Sequence, residues 1–376
     1  MNLQVCGCQS FFSITRSRRL LSLRTVLAML VLACMVSGRP AQSQALQGRM
    51  ITGFGVAINT ATHKAYAVNE DAGMVSVTDG RTGSTRVVKV GSGPIAIAIN
   101  RVTNRIYVTN TDSGSITVLD GEQDKVVATI KGEDHPYVLA VNEATNKVYV
   151  TNTYSNALTV IDGATNTAQA LNVGSADGIA VDSTSNTIFL TTYEDPDIRI
   201  VDGVTGTVSK VAVGPHLWGI TFDESSNTLY LAHTGTADIV ALNEKSREVY
   251  TIPVGPIPCA IAINPVTHKI YAVNYGDETV SVIDAGKRKV ITTLRVGKHP
   301  QAAAIDGVHN RVYIANVHGD SVTVIDGRKN GVIGTYHAGK SPYALAVDPS
   351  TGHVYAANYG QPSVTAIDMS GIVVQK

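Results

Sequence analysis

Three histidines of this chain share a register. His135, His216 and His299 each stand seven residues ahead of an Asn or Asp (Asn142, Asp223, Asp306) that closes an apolar stretch. Imidazole ligates transition metals and titrates near neutrality, so the register raises the possibility of a metal centre. His233 and His318 fall in nearby loops, yet no HxH, HxxxH or CxxC spacing accompanies them. Two residues beyond the register lies a position of changing chemistry: Phe54, Ile95, Tyr137, Asp177, Trp218, Cys259, Gln301 and Tyr343. Tyr193, Tyr275 and Tyr359 each follow a short β-like stretch. Aromatic rings with scattered polar groups suit a concave binding surface. The densest acids are Glu194, Asp195 and Asp197, which could attract Ca²⁺ or a basic partner, or could simply be solvated. Neither a nucleophile elbow, a phosphate loop, a zincin helix nor a haem-attachment motif is present. Cys259 is a lone thiol at a strand start and reads as buried.

What positions these residues is a repeat. The phrase apolar-Ala-apolar-Asn/Asp ends at Asn59, Asn100, Asn142, Asp182, Asp223, Asn264, Asp306 and Asp348, a period of about 41 residues. Each copy holds four strand signals of alternating apolar and polar residues, such as YVLAVN, KVYVTN, ALTVID and AQALNV in the third. Asp-Gly pairs, among them Asp120-Gly121 and Asp162-Gly163, predict tight turns after the third strand. Four antiparallel strands per repeat is the arithmetic of a β-propeller blade. First strands alternate small with large apolar residues (Ala96, Ala98 against Ile97, Ile99), as a strand buried on both faces requires.

The fold expected is therefore all-β: an eight-bladed propeller, with seven blades as the alternative. The blades fall at about 53–90, 91–131, 132–173, 174–213, 214–254, 255–295, 296–337 and 338–376. The only spare segment that could close the ring by strand exchange is 46–52, so closure is expected to rest mainly on side-chain packing. In this architecture the loops from fourth to first strand and from second to third strand share one face, the mouth of a central funnel. The five histidines and the tyrosines named above fall there. Blades three and seven lie opposite one another, too far apart for their histidines to share an ion at bonds of about 2 Å.

The first 45 residues contain five Arg and no Lys, Asp or Glu, followed by a 12-residue apolar run at 25–36 and small residues at Ser43 and Ala45. This pattern predicts a cleaved secretory signal at 1–45, with the propeller at 46–376. The run is too short to span a bilayer. SRRLL at 17–21 loosely resembles a twin-arginine signal, and Cys34 weakly resembles a lipidation site. Cleavage removes three of four Cys, so no disulfide is expected despite an exported address. It also changes the formal charge from zero to −5, with 25 basic against 30 acidic residues, which disfavours nucleic acid as a partner.

Tyr107-Val108-Thr109-Asn110 and Tyr149-Val150-Thr151-Asn152, with close variants at 66–69, 271–274, 313–316 and 355–358, resemble the YVTN-type β-propeller repeat family. Val-Gly-x-x-Pro before the first strand is similar to that family too (Val254 to Pro258, Val296 to Pro300). The resemblance covers roughly residues 53–376 and implies fold more than function. It implies that the motif Tyr packs between blades and that the Asn bonds backbone at a turn. Blades four (Phe189-Leu190-Thr191-Thr192) and five (Tyr230-Leu231-Ala232-His233) depart from the motif, which can mark either function or drift.

The function expected is an exported, non-enzymatic binding or scaffold protein, a monomer with no transmembrane segment in its mature form. Its funnel face would take a protein, peptide or glycan through His135, Tyr137, Tyr193, His216, Trp218, His233, Tyr275, His299, Tyr343 and Tyr359. No cofactor is expected, although a metal is possible. The alternative is a metal- or cofactor-dependent propeller enzyme, a lactonase-like hydrolase or an oxidoreductase.

Overall fold

The computed structural model describes residues 55–359 and 364–371. The expected signal at 1–45, the spare segment 46–52, Phe54 and residues 372–376 lie outside the described residues. The chain folds as an eight-bladed β-propeller of antiparallel four-stranded blades, and among the described residues the eighth shows three strands. The seven-blade alternative is thereby set aside. Each blade is a meander in sequence order, its innermost strand first.

Burial falls outward along every blade. The first strand Pro94–Asn100 is buried throughout, whereas the fourth strand Thr85–Lys89 of the preceding blade is largely exposed. This gradient follows from the composition of the strands: both faces of the first are apolar, while the last alternates or is polar. Neighbouring blades meet small face to large face. Ala57 and Tyr66 of blade one pack with Ile97, Ile99 and Ile106 of blade two. Tyr230 and Ala232 of blade five pack with Ile261 and Ile263 of blade six.

The motif tyrosine crosses to the next blade. The Tyr66 hydroxyl donates to the Gly121 carbonyl at 3.3 Å, and that of Tyr149 donates to Asn186 Oδ1 at 2.8 Å. The Asn that closes a first strand does likewise. Asn59, Asn100 and Asn142 donate from Nδ2 to Asn104, Asn146 and Asn186 of the following blade, at 2.7–2.8 Å. These acceptors sit at positive φ (52°, 52° and 57°), where Asn is tolerated better than most residues.

The same contact closes the ring. Asp348 of blade eight meets His63 of blade one, Oδ2 to Nδ1 at 2.8 Å, and His63 occupies the corresponding left-handed position at φ 57°. Among the described residues no strand is exchanged between first and last blades. Residues 46–52, the segment that could exchange a strand, lie outside the described residues.

The Asp-Gly pairs work differently from the expected tight turn. Asp120 pairs with Lys125, leaving a four-residue loop, and the left-handed residue is Asp124 (φ 53°) rather than Gly121. Asp120 Oδ1 accepts the backbone N–H groups of Glu122 and Gln123, both at 2.9 Å. Glycine is needed for space: a Cβ on Gly121 would lie 2.0 Å from Asn104 Oδ1. The motif Asn clamps the second hairpin. Asn152 Nδ2 donates to the Ala157 carbonyl at 2.7 Å and to Thr159 Oγ1 at 3.1 Å.

Candidate functional site at the funnel face

The loops of the funnel face are built in pairs. The loop entering a blade turns through a left-handed residue whose carbonyl accepts an N–H from the loop after the second strand. His135 accepts from Thr153, His216 from Thr234 and His299 from Val317, each at 3.0 Å. The same position holds Gly93 (φ 63°), Ile257 (52°) and Ser341 (52°). The histidine register is thus first a conformational position, and it sets each side chain against its blade's second loop.

The three histidines do not meet. His135 Nδ1 lies 2.6 Å from Asp134 Oδ1, and its ring is edge-on to Tyr154 at 4.5 Å. His216 lies 4.9 Å from the Tyr193 ring, which also faces Trp218 at 5.7 Å. His299 lies 4.8 Å from Tyr275 and 4.4 Å from His318, with the two Nδ1 atoms 2.9 Å apart. Tyr343 stacks on Tyr359 at 4.4 Å and covers Gly55, where a Cβ would come 2.5 Å from the Tyr343 ring. The rim therefore carries aromatic groups at blades three, four to five, six to seven, and eight.

His233 is placed differently from the expectation of an open loop. It is 7% exposed, stands where other blades carry the motif Asn, and faces Asp238 Oδ1 at 3.2 Å through Nδ1. Blade four makes a related exchange. Thr192 replaces the Asn, and Arg199 replaces the third-strand hydroxyl residue. Its guanidinium donates to the carbonyls of Val173 and Ser175 and to Thr192 Oγ1. In blade four Arg199 fills the space left by the missing Asn, and in blade five His233 itself occupies it.

The changing position opens the innermost strands, and its described members are buried or half-buried. Tyr137 is 5% exposed and Cys259 is fully buried, its Sγ 3.5 Å from the Pro300 carbonyl. Gln301 is buried too, and its Nε2 has no acceptor in the protein among the described residues. Burial raises the Asp177 carboxyl above the usual carboxylate range, with a hydrogen bond from the Tyr193 N–H and nearby Arg199 acting against it. Glu70, in a loop of blade one, is pushed up by desolvation and by Asp71 and Asp112. Burial also raises the Tyr137 hydroxyl, with Asp177, Tyr359 and Glu70 adding to the effect. These groups thus share one electrostatic neighbourhood. Glu70 carries no sequence signal that separates it from other loop acids. Arg199 was legible: it is the one long cation at a position otherwise held by Ser, Thr or Val. Glu194 and Asp195 lie on this face, beside the Arg199 guanidinium and Tyr193.

Among the described residues no group of three or more His, Cys, Asp and Glu is placed to hold an ion, and no helix is long and apolar enough to cross a membrane. No family model matches the chain, and no curated protein sequence matches it. Solved structures do. A dihydro-heme d1 dehydrogenase, NirN, in complex with DHE aligns with a TM-score of 0.69 at 14% identity, over 93% of this chain and 78% of that one. Hydrazine synthase of Kuenenia stuttgartiensis aligns at 0.58 and 17% identity, over 85% and 96%. The computationally designed Ika8 protein aligns at 0.68 and 14%, over 84% and 96%. An enzyme with a bound ligand and a computationally designed protein match with nearly the same TM-score, so the likeness carries architecture alone. By its fold the chain is an eight-bladed β-propeller.

Proposed function

We propose that the chain is an exported, non-enzymatic binding protein of the YVTN type, which takes a protein, peptide or glycan partner at the funnel face. One observation carries this reading: the Tyr193 ring packs against both His216 and Trp218 at the rim, with ring centres 4.9 and 5.7 Å away. Rigid aromatic groups of this kind supply contact area at little entropic cost. The YVTN assignment rests on the motif residues. Export rests on the composition of residues 1–45.

The test is a screen of the purified protein on glycan and peptide arrays, repeated with the double variant His216→Asn, Trp218→Ala. The reading expects the strongest signal to weaken at least about tenfold, the loss of one anchoring residue at an interface. Unchanged binding by the double variant would remove these residues from the site.

The second reading is a metal- or cofactor-dependent propeller enzyme, lactonase-like or an oxidoreductase. It is favoured by the raised carboxyl of Asp177 beside the first strand of blade four, since perturbed acids are candidates for proton transfer. It expects a bound chromophore, or lactone turnover that falls in Asp177→Asn. A colourless protein inactive on a lactone panel counts against it.

A further inference from the structure

Blade seven differs from the others at the rim. Its second loop forms a one-turn 3₁₀ helix, Val317–Gly319, not seen in any other described loop. The turn lifts His318 against His299, and the Val317 N–H to His299 carbonyl bond (3.0 Å) fixes the two backbones together. The rings cross at 69°, and Nδ1 faces Nδ1 at 2.9 Å. The other rim histidines have no such counterpart: His135 spends Nδ1 on Asp134, and His216 faces carbon rings.

The separation has chemical meaning. Two imidazole nitrogens bound to one ion at about 2.05 Å and at a right angle lie about 2.9 Å apart, whereas a tetrahedral angle requires about 3.3 Å. The right angle is the cis relation of square-planar and octahedral coordination.

We propose that His299 and His318 form a two-nitrogen site for a divalent transition ion of tetragonal preference, Cu²⁺ or Ni²⁺, at the rim of blade seven. Each imidazole ligates through Nδ1. On binding, the proton now held between the two nitrogens passes by way of solvent to Nε2 of the ring that carried it, so each imidazole ligates as a neutral donor and no net proton is released. Water, or donor atoms of a docked molecule, completes the coordination. The site stands whether or not the funnel face takes a partner.

The test is titration of the purified protein with Cu²⁺, followed by calorimetry and electron paramagnetic resonance. His299→Asn suits the left-handed backbone at φ 50°, because Asn tolerates that region, and His318→Gln keeps a polar side chain of similar size. Far-ultraviolet circular dichroism verifies that both fold. The expected result is one saturable equivalent with an axial spectrum split by two nitrogens. Affinity should fall at least about tenfold in each variant and stay unchanged in His216→Asn. Absence of saturable binding, or equal affinity in wild type and both variants, would overturn the site.

Discussion

The two faces of the ring spend their polar groups differently. On the face of the first and third hairpins, side chains serve the ring itself. Asn59, Asn100, Asn142 and Asn264 bind the next blade, Asp348 and His63 close the circle, and the turn aspartates accept their own loops' N–H groups. On the funnel face the backbone, the motif Asn and loop threonines bond the loops together, while the rings at the left-handed register and after the second strand stack in clusters at the rim. Strict repetition therefore marks architecture, and variation at a fixed register marks the surface that can bind.

The comparison breaks most sharply at the tyrosines. Tyr271→Ala, in the blade interior, should destabilise by about 3–5 kcal/mol, as for other large buried rings. Tyr359→Ala, at a rim position 40% exposed, should change stability by less than about 0.5 kcal/mol. Denaturant titration of both reads the difference, and equal costs would erase the distinction between faces. Next in size is Arg199→Ala, which leaves buried carbonyls without a donor and should cost about 2–3 kcal/mol. Restoring the repeat with Thr192→Asn and Arg199→Thr together should recover most of that loss. No recovery would mean that blade four departs for a reason other than packing.

Acid titration comes third. Lys147 and the loop N–H groups hold the exposed Asp162 carboxyl down at about 2. Asp79, Asp120 and Asp202 are lowered mainly by the same kind of backbone hydrogen bond. A lowered folded-state pKa stabilises fully above the unfolded value, about 3.9, and is lost as pH falls through the folded one. The melting temperature should hold from neutrality to about pH 4 and drop below it, less steeply in Asp162→Asn. Smallest is Ile257, a β-branched residue at φ 52° and 39% exposed. Ile257→Asn should stabilise by about 1 kcal/mol by relieving the left-handed strain.

The repeat made the ring legible, because a 41-residue period and strands with two apolar faces leave few ways to bury both. Asp-Gly misled on turn type, since Gly121 answers to the Asn104 side chain of the neighbouring hairpin, a contact absent from any local window. At the rim, the histidine register was visible but its cause was not: a left-handed position is shared by His, Gly, Ile and Ser, and only the backbone shows it. The pairing of His299 with His318 depends on a single helical turn in one loop. His233 reads as a loop residue until Asp238 is seen across the hairpin.

The most direct test strips the rim at once, with Tyr193→Ser, His216→Asn, Tyr275→Ser, His299→Asn and Tyr359→Ser in one chain, and measures its thermal unfolding. The account predicts a melting temperature within a few degrees of wild type, roughly what 1–2 kcal/mol would produce, together with loss of array binding. A fall of tens of degrees would show that these rings hold the blades together, and would contradict the division of labour between the two faces.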